Sequence, residues 1–97
     1  MEQALEIFAA LSDKTRLRIY RVLLKADKEV AVCELIDTLQ ESQYNVSKHL
    51  NILKKAGMVK ENKKGRWVFY SVINNPKVKL FGEVLSIKDK VFTVDFE

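Results

Sequence analysis

Cysteine and histidine each occur once in these 97 residues, as Cys33 and His49. One thiol excludes an intrachain disulfide framework, and one thiol with one imidazole falls short of a zinc site's ligand set. Three glycines and one proline leave no Gly-rich phosphate loop, low-complexity run or interdomain linker. No apolar run approaches the ~20 residues that span a bilayer. The opening MEQALEIFAALSDK has no basic leader and carries acids within its apolar stretch, unlike a secretory signal. Nor does the chain offer a Ser/His/Asp set, and a lone His and a lone Cys on different helices make no nucleophile–base pair. The absences predict a cytoplasmic protein with no membrane segment, catalytic residue, metal site or cofactor.

What is present is a globular composition, 47% hydrophobic and 31% charged, in a length suited to one domain. A chain this small buries only about 65% of its unfolded surface, so dimerisation would add stability. The net charge of +4 is unevenly distributed. Residues 42–69 hold seven basic side chains (Lys48, Lys54, Lys55, Lys60, Lys63, Lys64, Arg66) against Glu61, a net of +6, and the remainder carries −2. Such concentration points to a polyanionic partner.

Apolar spacing predicts a first helix over residues 2–11 through Ala4, Ile7, Phe8 and Leu11. Ser12-Asp13 offers an N-cap for a second, with Leu17, Tyr20, Leu23 and Leu24 inward, broken at Asp27-Lys28. A short third helix runs through Ala31, Leu35, Ile36 and Leu39 to a turn at Gln40-Glu41. Ser42 caps a fourth, which Gly57 ends as its C′ residue. Residues 58–61 and Trp67–Val72 read as two strands joined through Lys63-Lys64-Gly65-Arg66. Asn75-Pro76 starts a last helix with Val78, Phe81, Val84 and Leu85 on its apolar face, and the tail (Val91, Phe92, Val94, Phe96) is apolar enough to be dimer interface. The fold class is mainly α with a small β-hairpin: a winged helix-turn-helix over residues 1–97, with dimerisation elements at about 2–11 and 76–97.

The fourth helix divides into two faces. At about 100° per residue, Val46, Leu50, Leu53 and Gly57 share an apolar arc flanked by His49 and Ala56, while Tyr44, Ser47, Lys48, Asn51 and Lys55 lie opposite. No acid occurs from Gln43 to Lys60, whereas an ordinary solvated face mixes both signs. Such a face suits base edges and phosphates, with the basic hairpin reaching flanking backbone. His49 reads as a packing or hydrogen-bonding group, with phosphate contact the lesser reading. Cys33 reads as an inert core hydrophobe; a redox or soft-metal role would need exposure and a lowered pKa. Trp67, Phe69 and Tyr70 should alternate between core and wing face.

Taken in order, three blocks resemble the ArsR/SmtB-type repressors. Residues 8–19, FAALSDKTRLRI, are similar to that family's "F-x-A-L-S-D-P-T-R-L-R-I", with Lys14 in place of proline. Ser42-Gln43, Val46-Ser47-Lys48-His49-Leu50 and Leu53–Val59 look like its recognition helix, and Gly65-Arg66-Trp67-Val68-Phe69-Tyr70 like its wing. The resemblance covers residues 4–72 and implies a homodimeric repressor on an imperfect palindromic operator in double-stranded DNA. It carries the reading positions to Gln43, Ser47, Lys48 and Asn51, with Lys63, Lys64 and Arg66 as the wing. Tyr44 and Lys55 join them from the helix face. Members commonly release DNA on binding a metal or metalloid, or on thiol oxidation. Here Val30-Ala31-Val32-Cys33-Glu34-Leu35 stands where arsenic-sensing members have a "C-x-C-D-L" motif, and no histidine follows His49. Neither familiar metal site can be assembled, which leaves the inducer open. The other reading of the same residues is a winged-helix module for protein interaction or non-specific nucleic-acid binding.

Overall fold

The computed structural model describes residues 2–73; the helix expected from Pro76 and the apolar tail lie outside them. The elements are α1 (Glu2–Leu11), α2 (Lys14–Ala26), β1 (Val30–Ala31), α3 (Val32–Leu39), α4 (Gln43–Lys55), β2 (Val59–Lys64) and β3 (Trp67–Val72). None of these helices is long and apolar enough to cross a membrane.

Local chemistry sets the helix ends. The Asp13 carboxylate accepts from the Thr15 and Arg16 amides at 2.9 and 3.1 Å, answering two of the donors that α2 leaves unpaired at its start. Ser42 Oγ does the same for α4, accepting from the Asn45 amide at 3.1 Å. At the far end of α4, Gly57 takes φ +77°. Its amide bonds Lys54 O and that of Met58 bonds Leu53 O. This is the Schellman pattern, completed by an apolar pair, since Leu53 and Met58 are both fully buried. The chain therefore leaves α4 in one fixed direction, straight into β2.

The sheet holds three antiparallel strands in the order β1-β3-β2, one more than the hairpin expected. Val30 pairs with Tyr70 and Ala31 with Phe69. Ala31, assigned from sequence to the third helix, ends β1 and is the N-cap of α3, with no loop between. Two residues are too few to show a strand's alternation, so the apolar run merged with the helical pattern. A second correction concerns the wing. β2 continues through Lys63 and Lys64, and Lys64 pairs with Trp67. The turn is therefore only Gly65-Arg66, with Gly65 at φ +63°, the glycine-first arrangement of a type II′ hairpin.

The core draws Ile7 and Ala10 from α1, Ile19, Tyr20 and Leu23 from α2, Leu35 and Leu39 from α3, and Val46, Leu50 and Leu53 from α4, closed by Met58, Val59 and Tyr70. Phe8, expected inward with Ile7, lies outside at 57% exposure, beside Leu5 at 63%. One apolar strip of α1 is thus left on the surface.

Candidate nucleic-acid interface

Between α4 and the wing runs a groove of about 810 Å³. Gln43, Tyr44, Ser47, Lys48 and Asn51 line it from α4, and Glu61, Lys63, Arg66 and Trp67 from the hairpin. Its floor is Val32, Cys33 and Ile36 of α3 with Val68 and Tyr70 of β3. The helix period delivers the α4 set. Burying Val46, Leu50 and Leu53 turns the intervening positions outward, and all five polar or aromatic side chains are exposed.

Strand alternation divides the wing lysines. Residues 61 and 63 of β2, paired with Tyr70 and Val68, face the groove. Lys64 points to the opposite face, where its Nζ sits 3.4 Å from Glu29 Oε2 and 5.2 Å from the Phe69 ring centroid. That Glu29 oxygen is shut off from solvent and outside hydrogen-bond geometry, so Lys64 is its ionic partner. Glu29 Oε1 accepts from Asn62 Nδ2 at 3.2 Å, which ties β2 to the start of β1. Lys54 is likewise engaged, 3.3 Å from Glu61 Oε1. Lys55 lines a separate hollow with Glu6, Ala9 and Arg16. Of the nine positions expected from sequence, seven share the groove, and Lys55 and Lys64 do not. Treating Lys63-Lys64 as turn residues hid this division, because only strand pairing sends neighbours to opposite faces. Lys48, Lys63 and Arg66 make no salt bridge among the described residues; Glu61, the one carboxylate lining the groove, pairs with Lys54 and acts on Lys63 from farther off, so three cations face one acid there.

Cys33 corrects an expectation. It is exposed and lies on the groove floor rather than in the core. The helical wheel holds the reason: Cys33 is two positions, about 200°, from the buried Leu35. Among the described residues, no three His, Cys, Asp or Glu side chains gather as a metal-binding set.

Within the groove, the Tyr70 hydroxyl donates to Glu61 Oε2 at 2.7 Å. That bond, with help from Lys54, holds the Glu61 carboxyl below its ordinary 4.5, while burial and the Glu61 charge push the Tyr70 phenol up. A depressed carboxyl contributes stability above its unfolded value, and the contribution is lost as pH falls through the folded one. Tyr70→Phe should therefore narrow the difference in urea midpoint between pH 7 and pH 3 by weakening that depression. An unchanged difference would show the bond to be energetically silent.

His49 is buried and hydrogen-bonded, as read from the sequence, but its partners form a part-buried polar cluster that the sequence did not place. His49, with a side chain 9% exposed, has its Nδ1 at 3.1 Å from Arg16 Nη1 and 3.8 Å from Asp13 Oδ2. Arg16 Nε also donates to Ala10 O at 2.6 Å. Their meeting depends on how α2 crosses α4, which no local pattern carries.

Residues 11–62 match the helix-turn-helix domain family. An uncharacterised HTH-type transcriptional regulator of Methanocaldococcus jannaschii is 44% identical over 93% of this chain and 96% of its own length. A transcriptional repressor SmtB homologue of Synechocystis is 39% identical over 86% of this chain, which spans 61% of that protein. Among solved structures, HlyU of Vibrio cholerae superposes with a TM-score of 0.82 at 32% identity, over 95% of this chain and 94% of that one. The homodimeric winged helix-turn-helix domain of a possible ArsR-family regulator from Mycobacterium bovis gives 0.78 at 22% identity, a likeness of fold, over 92% and 80%.

Proposed function

The chain belongs to the ArsR/SmtB-type winged helix-turn-helix transcriptional regulators, and from that premise we propose that it is a homodimeric repressor that reads a palindromic duplex operator through the α4–wing groove. Ser47, Lys48 and Asn51 touch base edges and near phosphates, Gln43 and Tyr44 contact the strand at the helix entrance, and Lys63 and Arg66 hold the flanking backbone. The observation that carries the reading is the convergence of these seven side chains on one groove, whose three cations outnumber its one carboxylate, Glu61. Lys55 and Lys64 take at most an outer, electrostatic part.

The exposed Leu5–Phe8 strip of α1 supports a dimer, and the Mycobacterium bovis domain, homodimeric in the same fold, supports it further. Residues 76–97 complete that interface in this proposal, within a single domain working in the cytoplasm. Two recognition helices then enter successive major grooves about 34 Å apart. Three groove cations per protomer neutralise six phosphates per dimer, so log K should fall against log salt with a slope of about −5.

Fluorescence anisotropy on a duplex enriched from a randomised pool, against a scrambled duplex of equal length, tests this. The expected preference is about 10³ or more at physiological salt. Equal affinity for both would reduce the groove to an electrostatic grip and defeat the operator reading.

A further inference from the structure

We infer that Arg16 is a positioning residue for DNA reading: through His49 it sets the rotation of the recognition helix about its own axis. The inference rests on the reading of α4 given above. The core contacts of α4, through Val46, Leu50 and Leu53, are apolar and carry little directional information. A rotation of about 20° would keep such contacts while moving a side-chain tip on the outer face by roughly 2 Å. That is enough to lose hydrogen bonds to a base edge, whose useful range spans only about half an ångström. Something directional has to fix the angle.

The Arg16–His49 contact has the geometry to do so. The guanidinium is a rigid planar fork, and here it bridges two elements. Nε holds Ala10 O in the last turn of α1 at 2.6 Å, and Nη1 reaches His49 Nδ1 on α4 at 3.1 Å. The root of the fork is itself fixed, because Asp13 binds the Arg16 amide at 3.1 Å. Arginine can only donate, so Nδ1 is the acceptor and the ring proton of the neutral imidazole sits on Nε2. His49 directly follows Lys48 on the reading face and directly precedes the buried Leu50, so the bond acts at the boundary between the two faces. It also joins the last turn of α1 to the helix that the proposed reading sets against DNA.

The test uses the full chain in four forms: wild type, His49→Leu, His49→Asn and Arg16→Lys. Asparagine can place an acceptor oxygen close to the Nδ1 position, leucine fills the volume without one, and lysine keeps the charge but not the fork. Affinities for the pool-enriched and scrambled duplexes, melting temperatures and imidazole 15N resonances are recorded for each. His49→Leu and Arg16→Lys should lower the enriched-to-scrambled ratio about tenfold or more. Scrambled-duplex affinity and salt slope should hold, and His49→Asn should recover most of the ratio. Wild-type Nδ1 should resonate as an unprotonated, hydrogen-bonded nitrogen and shift in Arg16→Lys. An unchanged ratio in His49→Leu and Arg16→Lys overturns the inference. So does a parallel loss of both affinities and melting temperature in all three variants, which would mark plain packing. A wild-type ratio near one overturns the operator reading instead. The nitrogen resonances then decide the strut alone, and an Nδ1 signal indifferent to Arg16→Lys defeats it.

Discussion

Alanine at Lys48, Lys63 and Arg66 together should abolish operator binding at physiological salt while leaving the fold intact. These are the cations that share the groove and form no salt bridge among the described residues. Removing three per protomer takes six phosphate partners from a dimer. The salt slope should collapse from about −5 toward zero, and affinity near physiological salt should drop by about 10³-fold or more. Stability should hold to within about 0.5 kcal/mol, as for ordinary surface substitutions. The informative control is Lys64→Ala. That lysine has the same charge and adjoins Lys63 in sequence, but it is committed to Glu29 and to the Phe69 ring on the far face. Its loss should leave the salt slope nearly unchanged. Equal effects at Lys63 and Lys64 in single variants would mean that only net charge matters and that the groove has no special standing.

Leu50→Ala should have the opposite profile, losing the fold first and binding only as a consequence. Leu50 is fully exchanged from solvent to core and lies on α4 between the reading face and the rest of the cluster. Truncating a buried leucine costs about 2–5 kcal/mol, part from lost transfer and part from the cavity left behind. A domain of this size has about 5–15 kcal/mol in total, so one substitution removes a large share. The urea midpoint should fall by about 2 M with little change in slope. Binding should return where the folded fraction is restored, at lower temperature or lower denaturant. Full stability with lost binding would contradict the packing described for α4. Together the two variants separate the groove surface from the core: the first should lose affinity, the second the fold.

Much of this was legible from sequence for a physical reason. Helix periodicity is a strong local signal, and α4 announces both of its faces through Val46, Leu50 and Leu53 against Ser47, Lys48 and Asn51. Caps are local too, so Asp13, Ser42 and Gly57 marked helix ends that the structure bears out. What escaped depends on contacts distant in the chain. β1 is defined only by Tyr70 and Phe69, some forty residues later. The separate fates of Lys63 and Lys64 depend on where the hairpin turns, and the Arg16–His49 bond depends on the crossing of two helices. Phe8 fits a helical face, but nothing local says whether a protomer's own core or something beyond it covers that face. Cys33 is a different kind of miss, because the wheel that placed Leu35 inward already placed the thiol outward.

β3 is the middle strand of the sheet, paired on one edge with β1 and on the other with β2. β1 passes into α3 without a linker, and β2 is the outer rail of the wing. The floor of the groove and its wing side therefore hang from one strand, β3, and shifting one against the other would break strand pairs. On the proposed reading, the wing and floor together are a fixed gauge offered to a deformable object. Between two duplexes with the same contacted bases, the one that bends or narrows more cheaply to fit it will be held more tightly. Selection on operators then acts on stiffness between the contacted positions as well as on the letters at them.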